Sequence, residues 1–133
     1  MALAQNIFQR LFGLILIIFV GMDLFGWQPP AVAPEAQPLW DAIIDSGYIM
    51  PVVILTYAIC GVAFLSNQFA PLAAVILVPV SVNIFLYHLF LNPSSIPFAL
   101  TFFCGNIALL YIHRKAYKTL LEPAQENKKD CDT

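Results

Sequence analysis

The chain has 133 residues, of which 60% are hydrophobic and only 11% are charged, and its mean hydropathy is +0.79. A soluble domain carries about 25% charged residues, so this composition excludes an ordinary soluble domain and predicts an integral membrane protein. The length leaves no room for a separate soluble catalytic domain. The net charge of -2 provides no basic surface for nucleic acid.

The first apolar segment covers residues 7–26, with Arg10 near its start and Asp23 near its end. A cleaved signal peptide is the alternative interpretation, because Ala31–Ala33 has the small-x-small form of a cleavage site. That site lies well beyond the apolar run, and Pro34 follows it directly. We therefore expect a retained spanning helix, with Arg10 extending to the inner membrane interface.

The segment after the first span contains four prolines, which prevent a continuous helix. The pattern changes after Pro38, where apolar and acidic side chains take opposite faces of a helix. The apolar face holds Leu39, Trp40, Ile43 and Ile44, and the acidic face holds Asp41 and Asp45. This pattern predicts a short amphipathic helix in the membrane interface, with Trp40 at the level of the headgroups. An ordered loop with an apolar contact is the alternative.

Three further apolar segments follow, at about 48–65, 70–91 and 96–113, each with a proline in its first turn. Each segment is long enough to cross a hydrocarbon core of about 30 Å. The sequence therefore predicts an all-α integral membrane four-helix bundle in residues 1–119, with the short interfacial helix between helices 1 and 2. Residues 120–133 are charged and lack apolar periodicity, which predicts a disordered cytoplasmic tail.

The charges predict the orientation of the chain. All six basic residues flank the two termini: Arg10, Arg114, Lys115, Lys118, Lys128 and Lys129. The acidic residues between the first two spans lie on the opposite side. Because basic residues are enriched in cytoplasmic segments, both termini are predicted to be cytoplasmic, most simply in a bacterial inner (plasma) membrane.

Small residues predict where the helices pack, because membrane helices associate by close approach of their backbones. On the fourth span a smooth face recurs at i, i+3, i+4 and i+7, formed by Thr101, Cys104, Gly105 and Ala108. On the second span Gly61 is the corresponding residue. Pro79 is predicted to interrupt the third span.

Polar side chains are rare within the spans and are therefore candidates for a site. On the third span Asn83 and Tyr87 share one face, whereas His88 lies on another, so this helix is predicted to be central in the bundle. A pocket is predicted from five residues: Asp23, Asn83, Tyr87, His88 and Asn106. In it a His88–Asp23 pair is geometrically feasible. The alternative is polar contacts between helices without a ligand.

Several segments resemble the DoxX family of four-helix membrane proteins. They are Gly47–Pro51, Gly61, Ala70–Ala73, and the motif formed by Pro79, Asn83, Ile84, His88, Phe90 and Leu91. The resemblance covers roughly residues 8–121, and this chain has Tyr57 where many members have an acidic residue in the second helix. The family takes its name from a membrane subunit associated with thiosulfate:quinone oxidation.

Three hypotheses follow for the function. The first is a non-catalytic accessory subunit or small-ligand binder of a membrane redox assembly. Under this first hypothesis, the resemblance to the DoxX family implies a quinone-like ligand and a redox partner protein. The second is a structural or assembly protein that acts through helix contacts and has no ligand site, either with a partner or as a homo-oligomer. A transporter ranks last, because no carboxylate lies deeper than Asp23 and no repeat is evident. No catalytic constellation and no metal-ligand cluster is evident.

Overall fold

The computed structural model describes residues 2–27 and 32–121. In these two ranges 84% of the chain is helical and no strand occurs. The helices are α1 (Ala2–Leu24), α2 (Gln37–Asp45), α3 (Ile49–Ser66), α4 (Ala70–Ile76), α5 (Val78–Phe90), α6 (Ile96–Ile112) and α7 (Arg114–Leu121), with a 3-10 turn at Pro93–Ser95.

Four helical stretches are long and apolar enough to cross a membrane, which confirms the prediction of four apolar helices. They are Ala2–Leu24, Ile49–Ser66, Ala70–Phe90 and Pro93–Ile112. The first begins at Ala2, earlier than the predicted residue 7, because the polar residues near the N-terminus continue the helix instead of preceding it.

The third stretch is broken into α4 and α5 at Leu77, two residues before Pro79. Proline lacks a backbone N–H and its ring displaces the preceding turn, so a break is expected there. The two pieces have different neighbours: α4 packs against α3 and α6, whereas α5 packs mainly against α6. The prediction of a central third span therefore fits α4, which lies between α3 and α6, better than α5, which has α6 as its main neighbour.

The helices α1 and α3 approach each other closely where they cross, at Gly13 and Gly61. A Cβ atom added to Gly13 would lie 2.8 Å from the Cβ of Phe64 and 3.0 Å from the carbonyl oxygen of Gly61. A Cβ added to Gly61 would lie 2.7 Å from Cδ1 of Ile17. The two backbones can approach this closely only because neither residue has a side chain.

The packing face of α6 differs from the predicted one. Gly105 does pack, since an added Cβ would lie 2.6 Å from the Phe12 ring, and Ala108 is half-buried. Thr101 and Cys104, however, are exposed. The buried positions are Ala99, Phe102, Asn106 and Leu109. Small size is therefore a poor guide on this helix, where one large aromatic ring, Phe102, stacks on Phe12 at 5.3 Å between centroids.

Of the two short helices outside the apolar stretches, the sequence predicted α2 but not α7. The predicted amphipathic helix forms as α2, and its Gln37 donates a hydrogen bond to Asp41 at 2.8 Å. The sequence did not indicate α7, which includes residues 120 and 121 of the predicted tail. The Tyr117 hydroxyl of α7 donates a hydrogen bond to the carbonyl of Pro71 at 2.8 Å. The remainder of the predicted tail, residues 122–133, lies outside the described residues.

Candidate functional site

A cleft of about 200 Å³ lies between the C-terminal end of α1, the helix α2 and the N-terminal half of α3. We call it the tryptophan cleft. Its lining residues are Phe19, Met22, Asp23, Trp27, Trp40, Ile44, Met50, Val53, Ile54 and Tyr57. The chain contains two tryptophans, and both line this cleft. Four aromatic rings and two methionines give it polarisable walls of the kind that hold flat apolar groups.

The wall of the tryptophan cleft at Tyr57 belongs to an aromatic cluster. The Tyr57 ring lies 6.2 Å from the ring of Phe19 and 6.1 Å from the ring of Phe102, measured between centroids. Phe19 in turn contacts Phe98 edge-on at 5.7 Å. These contacts fix the Tyr57 ring against α1 and α6. Its hydroxyl has no hydrogen-bond partner among the described residues, so it remains free to bond to a ligand.

The helix α2 contributes Trp40 and Ile44 to the tryptophan cleft. Trp40 is half-buried, whereas Leu39 on the same predicted apolar face is exposed. Trp40, the residue that the sequence assigned to the interface, therefore packs against protein over α1 and α3.

Asp23 is the one member of the predicted pocket that lines the tryptophan cleft. Its side chain is exposed, and none of the residues in the described ranges forms an ion pair with it. The feasible pair between His88 and Asp23 is not formed: Nδ1 of His88 is buried without a hydrogen-bond partner in the described part of the chain. The physical reason is the break at Leu77, beyond which α5 follows α6 instead of α1.

Tyr87 and His88 lie together near the C-terminal end of α5. Their rings meet edge to face at 5.2 Å between centroids. Both residues are half-buried, and the Tyr87 hydroxyl, like Nδ1 of His88, is buried without a partner in the ranges described. Neither residue lines the tryptophan cleft.

Asn106 is fully buried at the contact between α5 and α6. Its Nδ2 donates a hydrogen bond to Oγ of Ser81 at 2.9 Å, and Ser81 donates to the carbonyl of Val78 at 3.0 Å. The Oδ1 atom of Asn106 has no partner within residues 2–27 and 32–121. The Asn106–Ser81 contact is a polar bond between two helices, as the alternative interpretation of the polar residues predicted.

Asn83 is exposed on the outside of α5 and donates from Nδ2 to the carbonyl of Pro79 at 2.8 Å. The predicted placement of Asn83 in an inward pocket is therefore wrong. The five predicted residues fall in separate places: Asp23 in the tryptophan cleft, Tyr87 and His88 at the end of α5, Asn106 between helices, and Asn83 on the surface.

A polar network at the opposite end of the molecule was not anticipated from the sequence. Nε2 of Gln9 donates to the carbonyl of Phe64 at 3.0 Å and to Oδ1 of Asn67 at 2.8 Å. Oε1 of Gln9 lies 2.8 Å from Nε2 of His113. We call these four residues the Gln9 network. A glutamine directly before Arg10, close to the start of an apolar run, was the available signal.

The bonding pattern of the Gln9 network determines the tautomer of His113. Both N–H groups of Gln9 donate to Phe64 and Asn67, so the Gln9 atom that faces His113 is the oxygen Oε1. Because an amide oxygen only accepts, Nε2 of His113 must donate. Burial lowers the pKa of His113, because the charged imidazolium is poorly solvated there. Burial also raises the pKa of Tyr117 on the adjacent α7. In the described ranges no group of three His, Cys, Asp or Glu residues could hold a metal ion.

No family model, no curated protein and no solved structure matches this chain. The resemblance to the DoxX family therefore remains a prediction from the motif residues. The tryptophan cleft combines an aromatic wall with the Tyr57 hydroxyl and the exposed Asp23 carboxylate.

Proposed function

We propose that the protein is an integral membrane four-helix bundle with both termini on the cytoplasmic side of a bacterial inner membrane. Four apolar helices of sufficient length support this proposal, as does the placement of all basic residues near the termini. In this orientation the tryptophan cleft opens at the outer surface. The helix α2 then lies in the outer interface, with its exposed Asp41 and Asp45 toward water.

We further propose that the tryptophan cleft binds a small amphiphilic ring compound of the quinone class. The protein would then act as a non-catalytic accessory subunit of a membrane redox assembly, as the resemblance to the DoxX family implies. The observation that carries this proposal is the clustering of Phe19, Trp27, Trp40 and Tyr57 around one cleft. A flat conjugated ring stacks favourably against such side chains.

The polar groups of the cleft suit the two ends of such a ring. The Tyr57 hydroxyl donates to a carbonyl oxygen, whereas the Asp23 carboxylate accepts from the hydroxyl of a reduced ring. The volume of about 200 Å³ is below the range of about 300–1,000 Å³ that is usual for drug-sized ligands. The cleft therefore takes a single ring system, and an apolar tail would extend into the lipid.

Tryptophan fluorescence tests this proposal directly, because both tryptophans of the chain line the cleft. We expect a short-chain quinone analogue to quench the emission of the purified protein with a saturable dependence on concentration. Tyr57→Phe removes one hydrogen bond, worth about 1 kcal/mol, and should weaken binding about fivefold. Tyr111→Phe is the matched control, because Tyr111 is exposed on α6 away from the cleft.

The affinity of the analogue should not change in Asn83→Ala or His88→Ala, since neither residue lines the tryptophan cleft. Equal affinity in Tyr57→Phe and wild type, or quenching that never saturates, would remove the quinone-class ligand from consideration.

The second candidate function is an assembly protein that acts through helix contacts and has no ligand site. The observation in its favour is the exposed pair Thr101 and Cys104 on α6, a surface of small residues that another membrane helix can approach closely. Cys104→Leu should then release a co-purifying membrane protein, whereas Leu55→Ala, at an exposed position of α3, should retain it. Gly105→Leu is unsuitable, because the new side chain would collide with Phe12 inside the chain.

A further inference from the structure

The outside of α5 carries an exposed face that no other part of the described chain covers. Pro79, Asn83, Leu86 and Phe90 are all exposed, and they follow one another at intervals of four, three and four residues. This spacing is the seven-residue repeat with which two helices pack side by side at a small crossing angle. The face is apolar except for one amide, that of Asn83.

The amide of Asn83 is only partly satisfied within the chain. One N–H donates to the carbonyl of Pro79 at 2.8 Å. Among the described residues, the second N–H and the oxygen Oδ1 have no partner. In the stretch Ala70–Phe90 this residue lies three positions from the middle, or about 4.5 Å along the axis. An amide at that depth faces hydrocarbon, where unpaired polar groups carry a large free-energy penalty.

We propose that this face of α5 is the contact surface for a second copy of the chain. The inference requires the membrane insertion proposed above, but it does not depend on ligand binding. Two copies inserted in the same orientation have parallel α5 helices, so their Asn83 side chains lie at the same depth. Across a two-fold axis each free N–H then meets the other copy's free Oδ1. A lone amide is complementary to itself, as an Asn in the seam of a coiled-coil dimer is.

The test is association in lipid bilayers, measured by energy transfer between copies that carry donor or acceptor labels at their C-termini. We expect dimers of the wild-type chain at low protein-to-lipid ratios. Asn83→Leu preserves the size and removes the amide, and it should weaken association about tenfold. Thr56→Val is the matched control. It also removes a polar group that donates a hydrogen bond to the carbonyl four residues earlier, that of Val52, but Thr56 lies on α3 and should not affect association.

Cross-linking provides a second measurement that does not require removal of Asn83. In a chain with Cys104→Ser and Cys131→Ser, the remaining Cys60 is buried. Leu86→Cys should form a disulfide-linked dimer under oxidation, because Leu86 lies about 60° from Asn83 around the helix. Leu89→Cys should not, since Leu89 is equally exposed at 41% but lies about 120° from Asn83.

Three results would overturn the proposal. They are a monomeric wild-type chain in bilayers, equal association of Asn83→Leu and wild type, and equal cross-linking through Leu86→Cys and Leu89→Cys. A monomer that binds a different membrane protein through Asn83 would also overturn it, since the face would then serve another partner. Binding of the quinone analogue is measured on the same samples. If the wild-type chain associates but does not bind the analogue, the proposed ligand is contradicted and the proposed dimer is not.

Discussion

Gln9 and Asp23 lie near opposite ends of the helix α1. They differ in the burial and in the hydrogen bonding of their polar groups. Gln9 is 2% exposed and bonds to three other residues, so that its amide is fully used. Asp23 is exposed, lines the tryptophan cleft and has no partner in the described ranges. A saturated polar network stabilises a fold, whereas free polar groups in a cleft remain available to a ligand. We therefore expect the Gln9 network to contribute to the stability of the fold and the tryptophan cleft to contribute to the ligand binding proposed above.

Removal of the Gln9 amide should have the largest effect on stability. Gln9→Leu leaves the Phe64 carbonyl, Asn67 Oδ1 and His113 Nε2 without their partner. Each buried group that loses its bond costs about 1–3 kcal/mol, so we expect a loss of about 3 kcal/mol in the free energy of unfolding. We would measure this loss by titrating the protein with dodecyl sulfate and following its unfolding by circular dichroism. Gln68→Leu, at an exposed glutamine, is the control and should change the value by under about 0.5 kcal/mol.

A methyl group at the α1–α3 crossing should have the second largest effect. Gly13→Ala places a Cβ atom 2.8 Å from Phe64 Cβ and 3.0 Å from a backbone oxygen, so the helices themselves must move apart. Overpacking of this kind costs about 1–3 kcal/mol. The same substitution at Gly21 meets no atom within 4 Å and should stabilise the helix by about 0.5–1 kcal/mol.

Opposite signs for these two alanine substitutions, in the same titration, are the expected result. Equal effects would show that α1 packs no more closely near Gly13 than near the cleft.

Acidification should weaken the Gln9 network. Because burial lowers the pKa of His113, the unfolded chain binds a proton more readily than the folded one. The stability is complete above the ordinary value of about 6.5 and declines as the pH falls from there toward the lowered pKa. His113→Gln retains an N–H donor but does not titrate, so the stability difference between wild type and this variant should narrow or reverse on acidification. If the stability difference between wild type and His113→Gln stays constant between pH 7 and pH 5, the pH dependence does not come from His113.

The polar groups of the tryptophan cleft should have the smallest effect on stability. Asp23→Asn and Tyr57→Phe remove groups that make no bond within the described chain, so each should change the free energy of unfolding by under about 0.5 kcal/mol. The same variants should alter quinone-analogue binding. A stability loss as large as that of Gln9→Leu would mean that the cleft is a structural element and not a binding site.

The sequence predicted the four apolar helices, the amphipathic helix and the interruption near Pro79, because each depends on local composition or on a proline. It did not predict which faces meet. Thr101 and Cys104 have the small size of packing residues, yet Phe102 occupies the buried face. A span that is apolar on all sides has no periodic pattern to show its inward direction.

The candidate site was predicted least well, for a related reason. Asn83, Tyr87 and His88 were grouped with Asp23 because polar side chains are rare within the spans. Beyond Leu77 the helix α5 follows α6, and the position of a polar residue in the sequence does not reveal which helix will be its neighbour. The Tyr57 hydroxyl and the two tryptophans were visible in the sequence. Their convergence depends on how α2 folds back over α3, which is a long-range contact.

The Gly13–Gly61 crossing also has a consequence for biosynthesis. Both residues, and the Phe64 and Asn67 partners of Gln9, lie within the first 67 residues of the chain, so the leading hairpin can dock before the later spans have left the ribosome. The bond from His113 to Gln9 joins positions 104 residues apart and can form only after the final span is inserted. A chain that ends before His113 would therefore leave the Gln9 oxygen without this partner.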